Sequence, residues 1–89
     1  RMYNSATAGY KYFDFKGVKK ITLETRAYAN GVFEVRTEIG GKVWGEIKVG
    51  YTNIWVKGSC DVEIPDGVHA LYFTFKGEGN PQIRRFWFD

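Results

Sequence analysis

Two short segments hold most of the chemistry that this chain can offer. They are TNIWVKGS, residues 52–59, with Asn53 and Trp55, and GEGNPQIRRFWFD, residues 77–89, with Asn80, Gln82 and Trp87. Indole and phenol rings present flat apolar faces to the C–H face of a pyranose, and amides pair with its hydroxyls. Catalytic groupings are weaker. His69 is the only histidine and no serine or cysteine elbow accompanies it, so neither a nucleophilic triad nor a histidine-based zinc site has support. It reads as a residue at the entry of a strand. The carboxylates Asp14, Glu24, Glu34, Glu46, Asp61 and Glu63 fall on outward strand positions, where solvent is the default neighbour, and no two are singled out as a glycosidase pair. GEGN reads as a loop between two strands with no helix after it, which removes it as a phosphate loop.

The elements that must position these groups are strands. Alternation of period 2 recurs along the chain, bounded each time by glycine, proline or asparagine. Seven segments follow. YKYFDF (10–15) sends Phe13 and Phe15 inward and Tyr10, Tyr12 and Asp14 outward; KKITLETR (19–26) sends Ile21 and Leu23 inward. Asn30 and Gly31 suit a two-residue hairpin turn into VFEVRTE (32–38), with Phe33 and Val35 inside and Glu34 and Arg36 outside. Gly40 and Gly41 predict the next turn, before KVWGEIKV (42–49), which offers Val43, Ile47 and Val49 to the core and points Trp44 away. A loop with Tyr51, Asn53 and Trp55 leads to SCDVEI (59–64), Pro65–Gly67 form a turn, and LYFTF and FWF close the chain. No segment keeps a helical period for two turns. The pattern predicts an all-β fold, an antiparallel β-sandwich or jelly roll formed by residues 1–89 as one domain.

Composition narrows the function classes. Three Trp, six Tyr and seven Phe stand beside eleven Gly in 89 residues, which suits short strands and tight turns. A net charge of +3, with basic and acidic residues interleaved, gives no footprint for nucleic acid. No apolar run is long enough for a membrane-spanning helix. The single Cys60 excludes an internal disulfide and reads as a small apolar filler. A chain beginning at Arg1 suggests a module cut from a longer protein. The outward set Tyr10, Tyr12, Glu34, Arg36, Tyr72 and Trp87 mixes flat rings with charged groups, which suits a sugar-binding face but suits still better, on the pattern alone, a face packed on the other sheet or on a neighbouring domain.

The order GYKYFDFKGVKKITLETRAYANGVFEVRT, the loop Trp55, IPDGVHALYFTFKGEG and the closing FWF resembles carbohydrate-binding modules of family 6. The version appended to bacterial family 43 glycoside hydrolases, the arabinofuranosidase and xylosidase group, is the most similar, over residues 9–88. The resemblance implies a jelly roll that binds xylan-type plant cell-wall polysaccharide without cleaving it, outside the cell, at its surface or in the periplasm. Its partners are then a polysaccharide and an attached catalytic glycoside hydrolase domain. In this family a Trp and a Tyr sandwich one sugar and a C-terminal Asn bonds it. The Trp matches Trp55, and the Asn falls at Asn80 or, counted from the closing Phe-x-Phe, Gln82. The Tyr would fall near Ala6, which leaves Tyr3 or Tyr10 as substitutes. The family's usual first strand, rich in Glu and contributing to a structural calcium site, has no counterpart before Tyr3. Asp89 could match one calcium-ligating carboxylate, but no bound metal or cofactor is expected without its partners.

Two readings follow. The first is a noncatalytic carbohydrate-binding module using Trp55, Tyr10 or Tyr3, Asn53, Asn80 and Gln82, with Tyr12, Tyr72, Trp87, Glu34 and Arg36 as a possible second face. The alternative is an interaction domain that packs on its catalytic neighbour without binding sugar. An uncovered Trp55 favours the first, and a Trp55 covered by its own chain favours the second.

Overall fold

The computed structural model describes residues 6–89. Its strands are β1 (Thr7–Phe15), β2 (Lys20–Arg36), β3 (Gly45–Val49), β4 (Thr52–Asp61) and β5 (Gly67–Phe88). No helix occurs among the described residues. All pairings are antiparallel: β5 lies between β1 and β2, while β2 also carries β3 along its C-terminal half and β4 along its N-terminal half. The two long strands therefore serve both layers of a sandwich. One layer holds β1, the first half of β5, the second half of β2 and β3; the other holds the second half of β5, the first half of β2 and β4. Rings meet between the layers, with Phe73 and Phe86 centroids 5.3 Å apart and Phe15 stacked on Phe88 at 4.7 Å.

Each of the seven expected segments contributes to a strand, although KVWGEIKV is strand only from Gly45 and SCDVEI only as far as Asp61, and two expected turns are absent. Asn30–Gly31 does not reverse the chain, because β2 runs through it for 17 residues. Likewise the GEGN segment is no loop, since β5 continues for 22 residues. Both pass from one layer to the other here, side by side, with Gly31 opposite Gly77 and Ala29 opposite Gly79. A Cβ at Gly31, Gly77 or Gly79 would collide with the backbone of the facing strand, and Gly79 holds φ at +104°, in the region that favours glycine. The glycines were thus needed for close approach rather than for reversal.

The inward residues form one line along each long strand. On β2, Ile21, Leu23, Thr25, Ala27, Ala29, Phe33 and Val35 are buried, all of one parity. On β5, Leu71, Phe73, Phe75 and Pro81 are buried and Ile83 is partly so, after which a bulge at Arg84 shifts the parity so that Phe86 and Phe88 turn inward. A similar bulge in β1, between Tyr10 and Phe13, corrects one expectation. Three residues of β1 there span two of β5, so Tyr10 and Phe13 both face inward, and Tyr10 packs on Phe86 at 4.7 Å and Phe73 at 6.0 Å. Trp44 is corrected too: β3 begins only at Gly45, and Trp44 leans on the core while its indole donates to Thr37 Oγ1 at 3.3 Å. Gly40 does turn the chain, with φ at +75°.

His69 is structural, its Nε2 bonded to Pro65 O at 2.8 Å and its ring edge-on to Phe15. Burial and the neighbouring Asp61 raise the Cys60 thiol to about 11. Alkylation of Cys60 by iodoacetamide should therefore stay slow at pH 8 and accelerate only as pH rises past about 10, because the thiolate is the reactive form. Gly79→Ala should cost about 3 kcal/mol, from left-handed strain plus the steric clash with β2. Gly50→Ala, with open space at its Cβ, should change stability by no more than about 0.5 kcal/mol. Urea unfolding midpoints of the two variants check both values.

Candidate functional site

Where β2 and β5 change layers, their outward side chains form a cleft. Arg26 pairs with Gln82 and Tyr28 with Asn80 across the ladder, and alternation places all four on the outer face. On the other side of β2, the register against β4 slips between Thr25 and Ala27. This slip absorbs the extra residues of β4 and brings Asn53 to the cleft wall. Asn53, Asn80, Gln82, Arg26, Ala27 and Tyr28 line a volume of about 220 Å³. That is below the roughly 300–1,000 Å³ of drug-sized sites and suits one small ring unit.

Hydrogen bonding in the cleft is partly satisfied. Arg26 Nη2 donates to Gln82 Oε1 at 3.1 Å, which fixes the guanidinium and leaves the Gln82 NH₂ free to donate elsewhere. Asn80 Oδ1 is buried with no hydrogen-bond partner in the structure. An acceptor withdrawn from bulk solvent in this way costs about 1–3 kcal/mol unless a donor reaches it. At the rim, Tyr28 is 57% exposed and meets Tyr51, 67% exposed, edge-on at 5.4 Å.

Trp55 lies in strand β4 rather than in a loop. Its indole is half-buried beneath two guanidinium groups of its own chain, Arg26 at 4.8 Å and Arg84 at 5.4 Å from the ring centroid. The exposed rings beside the cleft are thus the two tyrosines. Tyr10 does not reach it, being packed between the layers. Tyr3 lies outside the described residues. The expected triplet Asn53, Asn80 and Gln82 is brought together, and Arg26, Tyr28 and Tyr51 join it.

The possible second face does not assemble as one surface. Tyr72, Glu34 and Arg36 gather on the outer side of the first layer, where Arg36 Nη1 stands 2.9 Å from Glu34 Oε1, close enough for an ion pair but off the hydrogen-bonding direction. Arg36 Nε donates to Gly41 O at 3.0 Å. Tyr72 with Arg36, Thr7, Thr74 and Lys76 borders a shallow hollow there. Trp87 sits on the outer side of the other layer under Lys57, with the amine 5.5 Å from its ring. Tyr12, 67% exposed, stands within the bulge of β1. Among the described residues no three His, Cys, Asp or Glu side chains gather as a metal site needs. Asp89 ends the sheet through backbone bonds with Lys19 and Lys20.

Residues 2–89 match the family model described as carbohydrate binding module (family 6). A curated protein of Thermoclostridium stercorarium, described as a xylosidase/arabinosidase, is 51% identical over 85 residues, covering 96% of this chain and 18% of that protein. The chain spans less than a fifth of that relative. Among solved structures, a family 6 carbohydrate-binding module from Clostridium cellulolyticum in complex with xylose has a TM-score of 0.87 at 24% identity, over 99% of this chain and 74% of that one. A family 43 arabinoxylan arabinofuranohydrolase from Bacillus subtilis in complex with cellotetraose has a TM-score of 0.86 at 24% identity, over 98% of this chain and 20% of that one. At these identities the structural likeness shows the fold, a β-sandwich of jelly-roll type.

Proposed function

Since this chain belongs to carbohydrate-binding module family 6, we propose that residues 1–89 act as one noncatalytic module that holds a xylan-type or arabinoxylan-type plant polysaccharide in the cleft between β2, β4 and β5. The observation that carries this reading is the buried, unpartnered Asn80 Oδ1 in a cleft that the amides of Asn53 and Gln82 also line. A sugar hydroxyl entering the cleft donates to Asn80 Oδ1, and Asn53 and Gln82 supply further polar partners. Tyr28 and Tyr51 offer an apolar surface for the C–H face of the ring, with Trp55 behind Arg26 as the rigid wall.

Affinity is modest, because a small open cleft contacts few sugar units and binding must offset lost translational freedom. Modest affinity suffices for a tethered module. Once it holds the polymer, an attached hydrolase meets its substrate at a high effective concentration. The curated relative, described as a xylosidase/arabinosidase and several times longer than this chain, supports such an attachment, and a substrate of that kind supports a place outside the cell.

Calorimetric titration of the 89-residue chain with xylotetraose and with soluble arabinoxylan should give saturable binding. Asn80→Ala and Tyr28→Ala should each weaken it about tenfold, the equivalent of about 1.4 kcal/mol. A folded chain that binds neither glycan would replace this reading with that of an interaction domain, for which the guanidinium-covered Trp55 would then be the supporting observation.

A further inference from the structure

The cleft described above contains a positive charge that a neutral sugar would not use. Arg26 lines it together with Asn53, Asn80 and Gln82, and no carboxylate is among the lining residues. The neighbouring acid, Glu24, is engaged elsewhere: its Oε1 accepts from Arg85 Nε at 2.7 Å and stands 3.7 Å from Arg84 Nε. Among the described residues none forms a salt bridge with Arg26, whose one recorded side-chain hydrogen bond goes to the neutral Gln82. Arg26 and Arg84 thus both stand over the Trp55 indole, and the one glutamate beside them is shared by Arg84 and Arg85.

Resting on the sugar-binding reading above, we infer that the cleft selects a carboxylated sugar, a uronic acid unit, whose carboxylate pairs with Arg26 and whose hydroxyl satisfies Asn80. The guanidinium fork presents five N–H donors and matches a carboxylate bidentately. Only part of that fork is used by Gln82. Charge-assisted bonds of this kind are about twice as strong as neutral ones. The indole beneath holds the guanidinium in place, so little side-chain freedom remains to be lost on binding. Arg84, its own side chain 49% exposed and its glutamate shared at the longer distance, adds a second cation alongside. A neutral ring in the same place would strip water from Arg26 without supplying a counter-charge, which is unfavourable. The cleft thus both attracts the acid and penalises its neutral counterpart.

Calorimetric titration of the 89-residue chain tests this with three probes: xylotetraose, the same oligosaccharide carrying one glucuronic acid branch, and a tetragalacturonide. The branched acid should bind about tenfold more tightly than xylotetraose at about 20 mM NaCl, and the gap should shrink severalfold at about 500 mM, where the Debye length is a few ångströms. Arg26→Gln should abolish the preference, bringing the ratio of the two affinities measured on that variant to about one. Lys42→Gln, which removes a charge near Trp44, should leave it intact. Tighter binding of the tetragalacturonide than of the branched xylan would keep the carboxylate site and assign it to pectic chains. Equal affinity for xylotetraose and its acidic form overturns the inference while leaving the binding module standing. Absence of binding to every probe overturns both.

Discussion

The antiparallel ladder between β2 and β5 is the constraint from which both the fold and the cleft follow. It runs from Ile21 opposite Phe88 to Arg36 opposite Tyr72, so each layer of the sandwich is an extension of the same ribbon. Its inner side carries the fully buried Ile21, Leu23, Phe33, Leu71, Phe73 and Phe75. Its outer side carries Arg26, Tyr28, Asn80 and Gln82. A one-residue slip would exchange these two sets. The register that fills the core is therefore also the register that assembles the cleft.

The sequence was legible wherever alternation ran unbroken. Leu71, Phe73 and Phe75, Phe33 and Val35, and Ile21 and Leu23 all lie where their parity puts them. It misled where a bulge shifted parity, as at Tyr10, or where a glycine had more than one use. Asn30–Gly31 has the composition of a hairpin turn, yet the inward residues keep the same parity from Ile21 to Val35, a continuity that already hinted at one strand. The same stretch, followed through Ala27 and Ala29, puts Arg26 and Tyr28 on the outer face opposite Asn80 and Gln82. That inference was open to sequence reasoning once the strand was seen as continuous. The arginine cover on Trp55 was not, because it depends on which of three adjacent strands lie side by side.

That cover changes the electrostatic character of a site otherwise made of neutral amides. A guanidinium over an indole keeps its charge while losing mobility, and Glu24, held by Arg84 and Arg85, does not compensate Arg26. Arg26 and Arg84, over the same indole, would repel if both were buried; the partial exposure of Arg84 and its pairing with Glu24 make the cluster tolerable. The aromatic contribution shifts outward to Tyr28 and Tyr51, whose phenol groups remain in solvent.

The ladder also sets the order in which the molecule can be made. It joins residues separated by most of the chain, Ile21 with Phe88 and Leu23 with Phe86. Such non-local closure places the domain among slower-folding β topologies, in the range of milliseconds to seconds. Asn80 and Gln82 belong to the last of these five strands to be made, and they gain their cleft partners only when that strand aligns with one made much earlier. The cleft thus has no partially folded precursor: it comes into being with the closure of the core, and a chain that has not completed the second has none of the first.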